Sequence, residues 1–161
     1  MKNTFGKTYG WLLTILFVVP CLAQAQTNAI PLKQQCKMAM KEAKESGDLL
    51  NSFLEPWLKI FSSDSQMDSK SFEQARRKNF NKQYDEIRLR YFDLGGYGLE
   101  KPLNISNDLT LRTQFVVDAF QEYASNGDKE ALKASWRIQN KAMREDIDLL
   151  KKLCQYKGNA G

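Results

Sequence analysis

The stretch Asp128–Lys157, DKEALKASWRIQNKAMREDIDLLKKLCQYK, is the longest unbroken periodic segment of the chain, and it decides the fold. At 100° per residue, one apolar stripe runs along this segment and a second stripe lies beside it. The first stripe comprises Leu132, Trp136, Met143, Ile147, Leu150 and Cys154, and the second comprises Ile138, Ala142, Leu149 and Leu153. Charged residues occupy the opposite side. An apolar arc of this width predicts a helix that contacts two neighbouring helices in a bundle.

The segment 31–61 keeps the helical period over a similar length. Its apolar residues hold one phase past Gly47 and Pro56, where a loop would normally break the phase. These apolar residues are Leu32, Cys36, Ala39, Ala43, Leu50, Leu54, Trp57 and Phe61. We therefore predict one long helix, bent rather than broken, with Pro31 at its first position. The alternative is two helices, in which Gly47 ends the first and Asp48 caps the second.

Two shorter amphipathic helices are predicted between these long ones. The first follows a capping box at 71–74, with Asp68 or Ser69 as alternative caps, and runs to about residue 93. Its inward stripe is Phe72, Phe80, Tyr84, Ile87, Tyr91 and Leu94. The second is predicted to begin after a cap at Asn107 or Asp108 and to end near residue 125. Between them the segment 94–107, LGGYGLEKPLNISN, has no periodicity and predicts a long loop.

Four amphipathic helices without a strand pattern predict an all-α protein, an antiparallel four-helix bundle with a long bent first helix. Up-down-up-down order brings the start of the first helix beside the end of the fourth. Cys36 and Cys154 lie at those two positions, so we expect a disulfide that joins the first and last helices. The alternative is two separate buried thiols.

The first 25 residues have the pattern of a cleaved secretory signal. Lys2 and Lys7 precede an apolar run at 11–19 that is too short to span a bilayer, and the tripeptide at 23–25 is a small-x-small cleavage site. Residues 26–161 would then be a single periplasmic or secreted domain, not membrane-spanning after cleavage. A disulfide suits that compartment.

The composition of the chain argues against several classes of function. Losing two lysines with the signal lowers the net charge from +5 to +3, and no basic face forms, which argues against nucleic acid. The chain contains no histidine, which removes the Ser-His-Asp and Cys-His enzymes and the common zinc and di-iron sites. We expect no metal and no cofactor. Enzymatic activity is not predicted, because a carboxylate-only enzyme would need two acids converging on one cleft.

The candidate binding residues lie around the end of the second helix. Leu89 and Phe92 fall opposite the aromatic stripe, where an uncovered apolar pair would mark a partner surface. Tyr97 follows in the loop and is flanked by Gly95, Gly96 and Gly98. A mobile aromatic residue of this kind can enter a partner's pocket. The alternative is that a helix or the loop covers the apolar pair and that the glycines form an ordinary turn.

One polar pair is predicted inside the bundle. Arg112 lies on the apolar side of the third helix, and Asp146 interrupts the inner arc of the last helix about one turn from the position opposite. We hypothesise a partly buried ion pair that fixes the helix register.

These observations favour an exported, non-enzymatic helical protein that binds a protein partner, as an inhibitor, an immunity factor or an accessory subunit. Self-association is left open. The alternative is a carrier of a lipid or other apolar molecule in the bundle interior, suggested by the aromatic second helix and by Trp57 and Trp136.

Overall fold

The computed structural model describes residues 30–63, 65–91 and 101–156. Helix α1 spans Leu32–Ser62, α3 spans Pro102–Asn126 and α4 spans Lys129–Tyr156. Helix α2 consists of three consecutive segments, Ser69–Ala75, the π-helical Arg76–Asn81 and Lys82–Tyr91. The described residues contain no strand, and the predicted all-α four-helix bundle is confirmed. Within this part of the chain, no helix combines the length and apolar composition needed to cross a membrane.

The prediction of one continuous first helix is correct. Helix α1 passes through Gly47 and Pro56 without interruption, so the alternative of two helices is wrong. It begins at Leu32, one residue later than predicted, with Pro31 at the cap position. At about 1.5 Å per residue, its 31 residues extend roughly 46 Å and run the length of the bundle.

Asp68 caps helix α2. Its side chain accepts a hydrogen bond from the Ser71 backbone N–H at 2.7 Å, which decides between the caps that the sequence allowed. Five of the six residues predicted to face inward on α2 are buried: Phe72, Phe80, Tyr84, Ile87 and Tyr91. The sixth, Leu94, lies outside the described residues. The π-helical segment was not predicted, because its residues have no distinguishing composition.

Helix α3 begins earlier than predicted. It starts at Pro102, so its first turns occupy part of the segment assigned to a loop, and the caps proposed at 107 and 108 are wrong. Pro102 suits the first helical position, where no backbone N–H is needed. The inward positions of α3 do follow a helical spacing, but Ser106, Thr110 and Thr113 occupy three of them. A search for apolar periodicity misses a helix whose buried face is partly polar.

Helices α1 and α3 form the centre of the bundle. Sequential helices are antiparallel, so α1 and α3 run in the same direction, and their contacts extend from Glu42 with Thr110 at one end to Phe61 with Phe120 at the other. Helix α2 packs against one side of this central pair and α4 against the other. Among the described residues, no Cα of α2 lies within 8 Å of a Cα of α4. The bundle is therefore flattened, and α4 has only α1 and α3 as described neighbours.

Aromatic rings fill the middle of the bundle. The ring centroids of Trp57 and Phe72 are 4.8 Å apart, and those of Phe120 and Trp136 are 5.9 Å apart. These edge-on contacts pack both tryptophans, each partly buried, against the core. A second, smaller apolar cluster fills the end of the bundle near the disulfide: Ala39, Leu103, Ile105, Leu109 and Leu150.

The predicted disulfide is present. Cys36 of α1 and Cys154 of α4 are bonded, with their Cα atoms 5.5 Å apart, and the bond closes a loop across 118 residues. It joins the first helix to the last, and it is consistent with folding in an oxidising compartment.

Candidate interaction surface and buried polar network

The structure describes only one of the six residues predicted to bind a partner. Leu89 is 69% exposed, on the side of α2 opposite the buried Ile87 and Tyr91. The other five lie outside the described residues: Phe92, Gly95, Gly96, Tyr97 and Gly98. Leu89 is therefore a single exposed leucine, which by itself is ordinary for a soluble protein.

Arg112 and Asp146 are in contact across the α3/α4 interface, as the sequence suggested. Arg112 Nε donates a hydrogen bond to Asp146 Oδ2 at 2.7 Å, and a guanidinium N–H also donates to Gln139 Oε1 at 3.4 Å. The two charged side chains are 29% and 21% exposed. Asp108 lies nearby, where burial raises the pKa of its carboxyl, the negative charge of Asp146 adds to the rise and Arg112 opposes it. The pair bridges α3 and α4 at this level of the bundle.

The outer side of the α3/α4 interface carries an apolar surface. Phe115 on α3 is 51% exposed, Ile138 on α4 is 64% exposed, and Leu149 on α4 is 42% exposed. The prediction that α4 contacts two neighbouring helices is confirmed, because α4 contacts both α3 and α1. Ile138 and Leu149, in the second stripe of its apolar arc, are nevertheless exposed. The helical wheel identified the apolar arc correctly but could not tell whether this chain covers it.

The exposed apolar residues lie on adjacent edges of α3 and α4. Around the axis of α4, Ile138, Ala142 and Leu149 fall within about 40° of one another, on the edge next to α3. Leu111 and Phe115 fall about 40° apart on the facing edge of α3. The contacts of Arg112 with residues 139 and 146 set the axial register and put Phe115 level with Ile138. We call this surface the α3/α4 strip, defined by Leu111, Phe115, Ile138, Ala142 and Leu149.

A second feature, a polar network, is buried between α1 and α3. Glu42 is fully buried, and its carboxylate oxygens contact the hydroxyls of Ser106 and Thr110, the latter at 3.0 Å. Ser46 Oγ lies 2.7 Å from Thr110 Oγ1, and Ser106 Oγ donates to the Leu103 carbonyl oxygen at 3.0 Å. Among the described residues, no cationic side chain contacts this network.

Burial determines how readily Glu42 ionises. The hydroxyls of Ser106 and Thr110 both donate hydrogen bonds to its carboxylate oxygens. Desolvation by burial raises the pKa of Glu42 from an ordinary value of 4.5 to about 7, against the opposing effect of these two hydrogen bonds. The neutral acid is therefore the favoured form of Glu42 below about pH 7.

Both features left signals in the sequence. Glu42 and Ser46 fall within about 60° of Ala39 on the wheel of α1, inside the apolar arc. Leu111 and Phe115 are large apolar residues outside the inward stripe of α3. A polar residue inside an apolar arc can indicate a buried polar network, and a large apolar residue outside one can indicate an exposed apolar surface.

Comparison of the chain with protein-family models, with curated proteins and with solved structures gave no match.

Proposed function

We propose that this protein is an exported, non-enzymatic helical bundle that acts by binding a protein partner. The observation that carries the proposal is the α3/α4 strip. Its five members include four large apolar residues, each at least 36% exposed, set side by side on two helices. Grouped apolar exposure of this kind is typical of interaction surfaces, whereas single exposed residues are not informative.

The rigidity of the two helices supports this role. The Arg112–Asp146 ion pair and the Gly127 turn link α3 to α4, and the Cys36–Cys154 bond ties the far end of α4 to α1. The strip therefore has a fixed shape before it meets a partner. A preorganised surface loses less conformational entropy on association than a flexible one. Inhibitors, immunity factors and accessory subunits all depend on such a surface.

The chemistry of the described residues is in keeping with a binding role. They contain no group of three or more His, Cys, Asp or Glu side chains placed to hold a metal ion. The carboxyl group with the most perturbed pKa, that of Glu42, is fully buried. A general acid or base must reach its substrate within hydrogen-bonding distance, and Glu42 has no open path to one in this packing.

The carrier alternative receives no support from the residues that suggested it. Trp57 and Trp136 each contact a phenylalanine ring in the packed core, at centroid distances of 4.8 and 5.9 Å. Both tryptophans are partly buried and pack against the core, which is an ordinary structural role for them.

Site-specific photo-crosslinking tests the proposal. A photoreactive amino acid at position 138 should give a discrete protein adduct in the producing cells. The same group at position 151 is the matched control, since Lys151 is exposed about 140° away from Ile138 around α4. A third variant at position 89 tests the surface first expected from the sequence. Absence of any adduct from 138, or equal adducts from 151 and 138, would contradict the strip as the binding surface.

A further inference from the structure

We propose that the partner that occupies the α3/α4 strip is a second copy of this chain, bound across a two-fold axis perpendicular to the helices. The inference rests on the proposed function, because it assumes that the strip is an interface. The order of residues along the exposed edge of α4 points to self-association. When a second copy of α4 is placed antiparallel to the first, apolar residues face apolar residues and a lysine faces a glutamate.

The exposed edges of two antiparallel copies of α4 are complementary. In an antiparallel pairing centred near residue 143, Ile138 of one copy lies opposite Leu149 of the other. With the same centre, Lys141 lies opposite Glu145. All four side chains are exposed, with Lys141 79% and Glu145 66% exposed. A two-fold axis makes each contact twice, so the interface gains two apolar contacts and two ion pairs.

The residues of α3 are also placed symmetrically about this two-fold axis. The contacts of Arg112 with residues 139 and 146 put Leu111 level with about residue 143 of α4. Leu111 therefore lies on the two-fold axis and meets its own copy. Further out, Lys101 and Glu122 are both exposed, and they lie at nearly equal distances on either side of Leu111. The reversed pairing sets the positive residue of one copy against the negative residue of the other.

Charge argues against the other symmetric arrangement. An axis parallel to the helices would place α3 of one copy over α4 of the other at the same level. Asp108 is then level with about residue 146, beside the exposed Glu145 of the second copy. Like charges in direct opposition across an interface are unfavourable. The perpendicular axis avoids this contact.

The available area suits a dimer of modest strength. Two adjacent helices about 10 Å wide, over about 30 Å of length, offer roughly 600 Å² per copy and roughly 1,200 Å² in total. This lies at the lower limit for stable complexes. We therefore expect a dimer that dissociates on dilution.

Charge reversal with mixing is the test, with sedimentation of the oxidised protein over a concentration series as the measurement. Lys141→Glu puts acids opposite acids, and Glu145→Lys puts lysines opposite lysines. Each variant alone should dimerise roughly tenfold more weakly than the parent. An equimolar mixture should recover the parent affinity, because each mixed dimer restores both ion pairs. Recovery on mixing cannot come from the pair formed within one helix by Lys141 and Glu145.

Circular dichroism confirms that each variant is folded, as expected for exposed positions. A parent that stays monomeric at every concentration overturns the inference, and so does a mixture that dimerises no better than the two variants alone. If the parent is monomeric while position 138 still crosslinks to a different protein, self-association fails and the proposed function stands. If neither occurs, both fail.

Discussion

Glu42 Oε1 on α1 accepts a hydrogen bond from Thr110 Oγ1 on α3 at 3.0 Å, in a network whose described members are all uncharged except Glu42. Because burial raises the pKa of Glu42 from 4.5 to about 7, the folded protein binds this proton more tightly than the unfolded chain does. The contribution to stability is fully present below about pH 4.5 and is lost as the pH rises through about 7. A shift of this size corresponds to about 3 kcal/mol.

Glu42→Gln should remove this pH dependence. The amide has nearly the shape of the acid and cannot ionise, and its oxygen can still accept a hydrogen bond from Thr110. Urea unfolding should give similar stabilities for parent and variant near pH 4.5 and a more stable variant near pH 8.5. Glu55→Gln, at an exposed position paired with Lys59, is the control and should follow the parent. If stability depended on pH in the same way for the parent and the Glu42 variant, the pKa of Glu42 would not differ between the folded and unfolded protein, which would contradict the prediction.

The same network explains why the sequence placed the start of α3 wrongly. Apolar periodicity predicts a helix when its buried face is apolar. At Ser106 and Thr110 the buried face is polar, and it is satisfied by Glu42, which is 64 and 68 residues away in sequence. The local pattern of α3 does not carry that information, because Ser106 and Thr110 look like exposed positions when Glu42 is not considered. The long helices were predictable because their buried faces are mostly apolar.

Asp146→Ala should destabilise the protein by about 1 to 3 kcal/mol, because it leaves Arg112 partly buried without its carboxylate partner. Replacing both residues by leucine should cost less than the single change, since no unpaired charge remains. Asp48→Ala is the matched control. Asp48 is 64% exposed and 2.7 Å from Lys44, so its loss should change the free energy of unfolding by no more than about 0.5 kcal/mol. Equal urea midpoints for parent and Asp146→Ala would rule out a stabilising pair.

The α3/α4 strip marks a different limit of sequence reasoning. The periodicity of α4 correctly indicates an apolar arc wide enough for two neighbours, and Leu132 and Leu150 on it are buried. Ile138 on the same arc is 64% exposed. A helical wheel shows that a face is apolar, but which element covers that face depends on the tertiary arrangement. Here the flattened bundle leaves one edge of α4 uncovered by the described helices.

Reduction of Cys36–Cys154 should lower the free energy of unfolding by about 4 to 5 kcal/mol. The bond closes a loop across 118 residues, and a cross-link over so long a loop removes much conformational entropy from the unfolded chain. Urea unfolding with and without reductant measures the effect. A Cys36→Ser, Cys154→Ser double variant is the control and should be insensitive to reductant. Identical midpoints for the oxidised and reduced parent would mean that the bond does not stabilise the bundle.

Replacing glycine by alanine should have opposite effects on stability at positions 127 and 47. Gly127 ends α3 with a φ of +73°, a conformation that costs an L-residue about 1 kcal/mol, so Gly127→Ala should destabilise by about that amount. Gly47 lies inside α1, and a Cβ added there would meet nothing within 4 Å. Alanine restricts the unfolded chain and favours the helix, so Gly47→Ala should stabilise by about 0.5 to 1 kcal/mol. Thermal and urea unfolding of the two variants measure both signs, and each variant serves as the control for the other. A destabilised Gly47→Ala would show that α1 is not a continuous helix at this position, because only a non-helical backbone there would make alanine the worse residue.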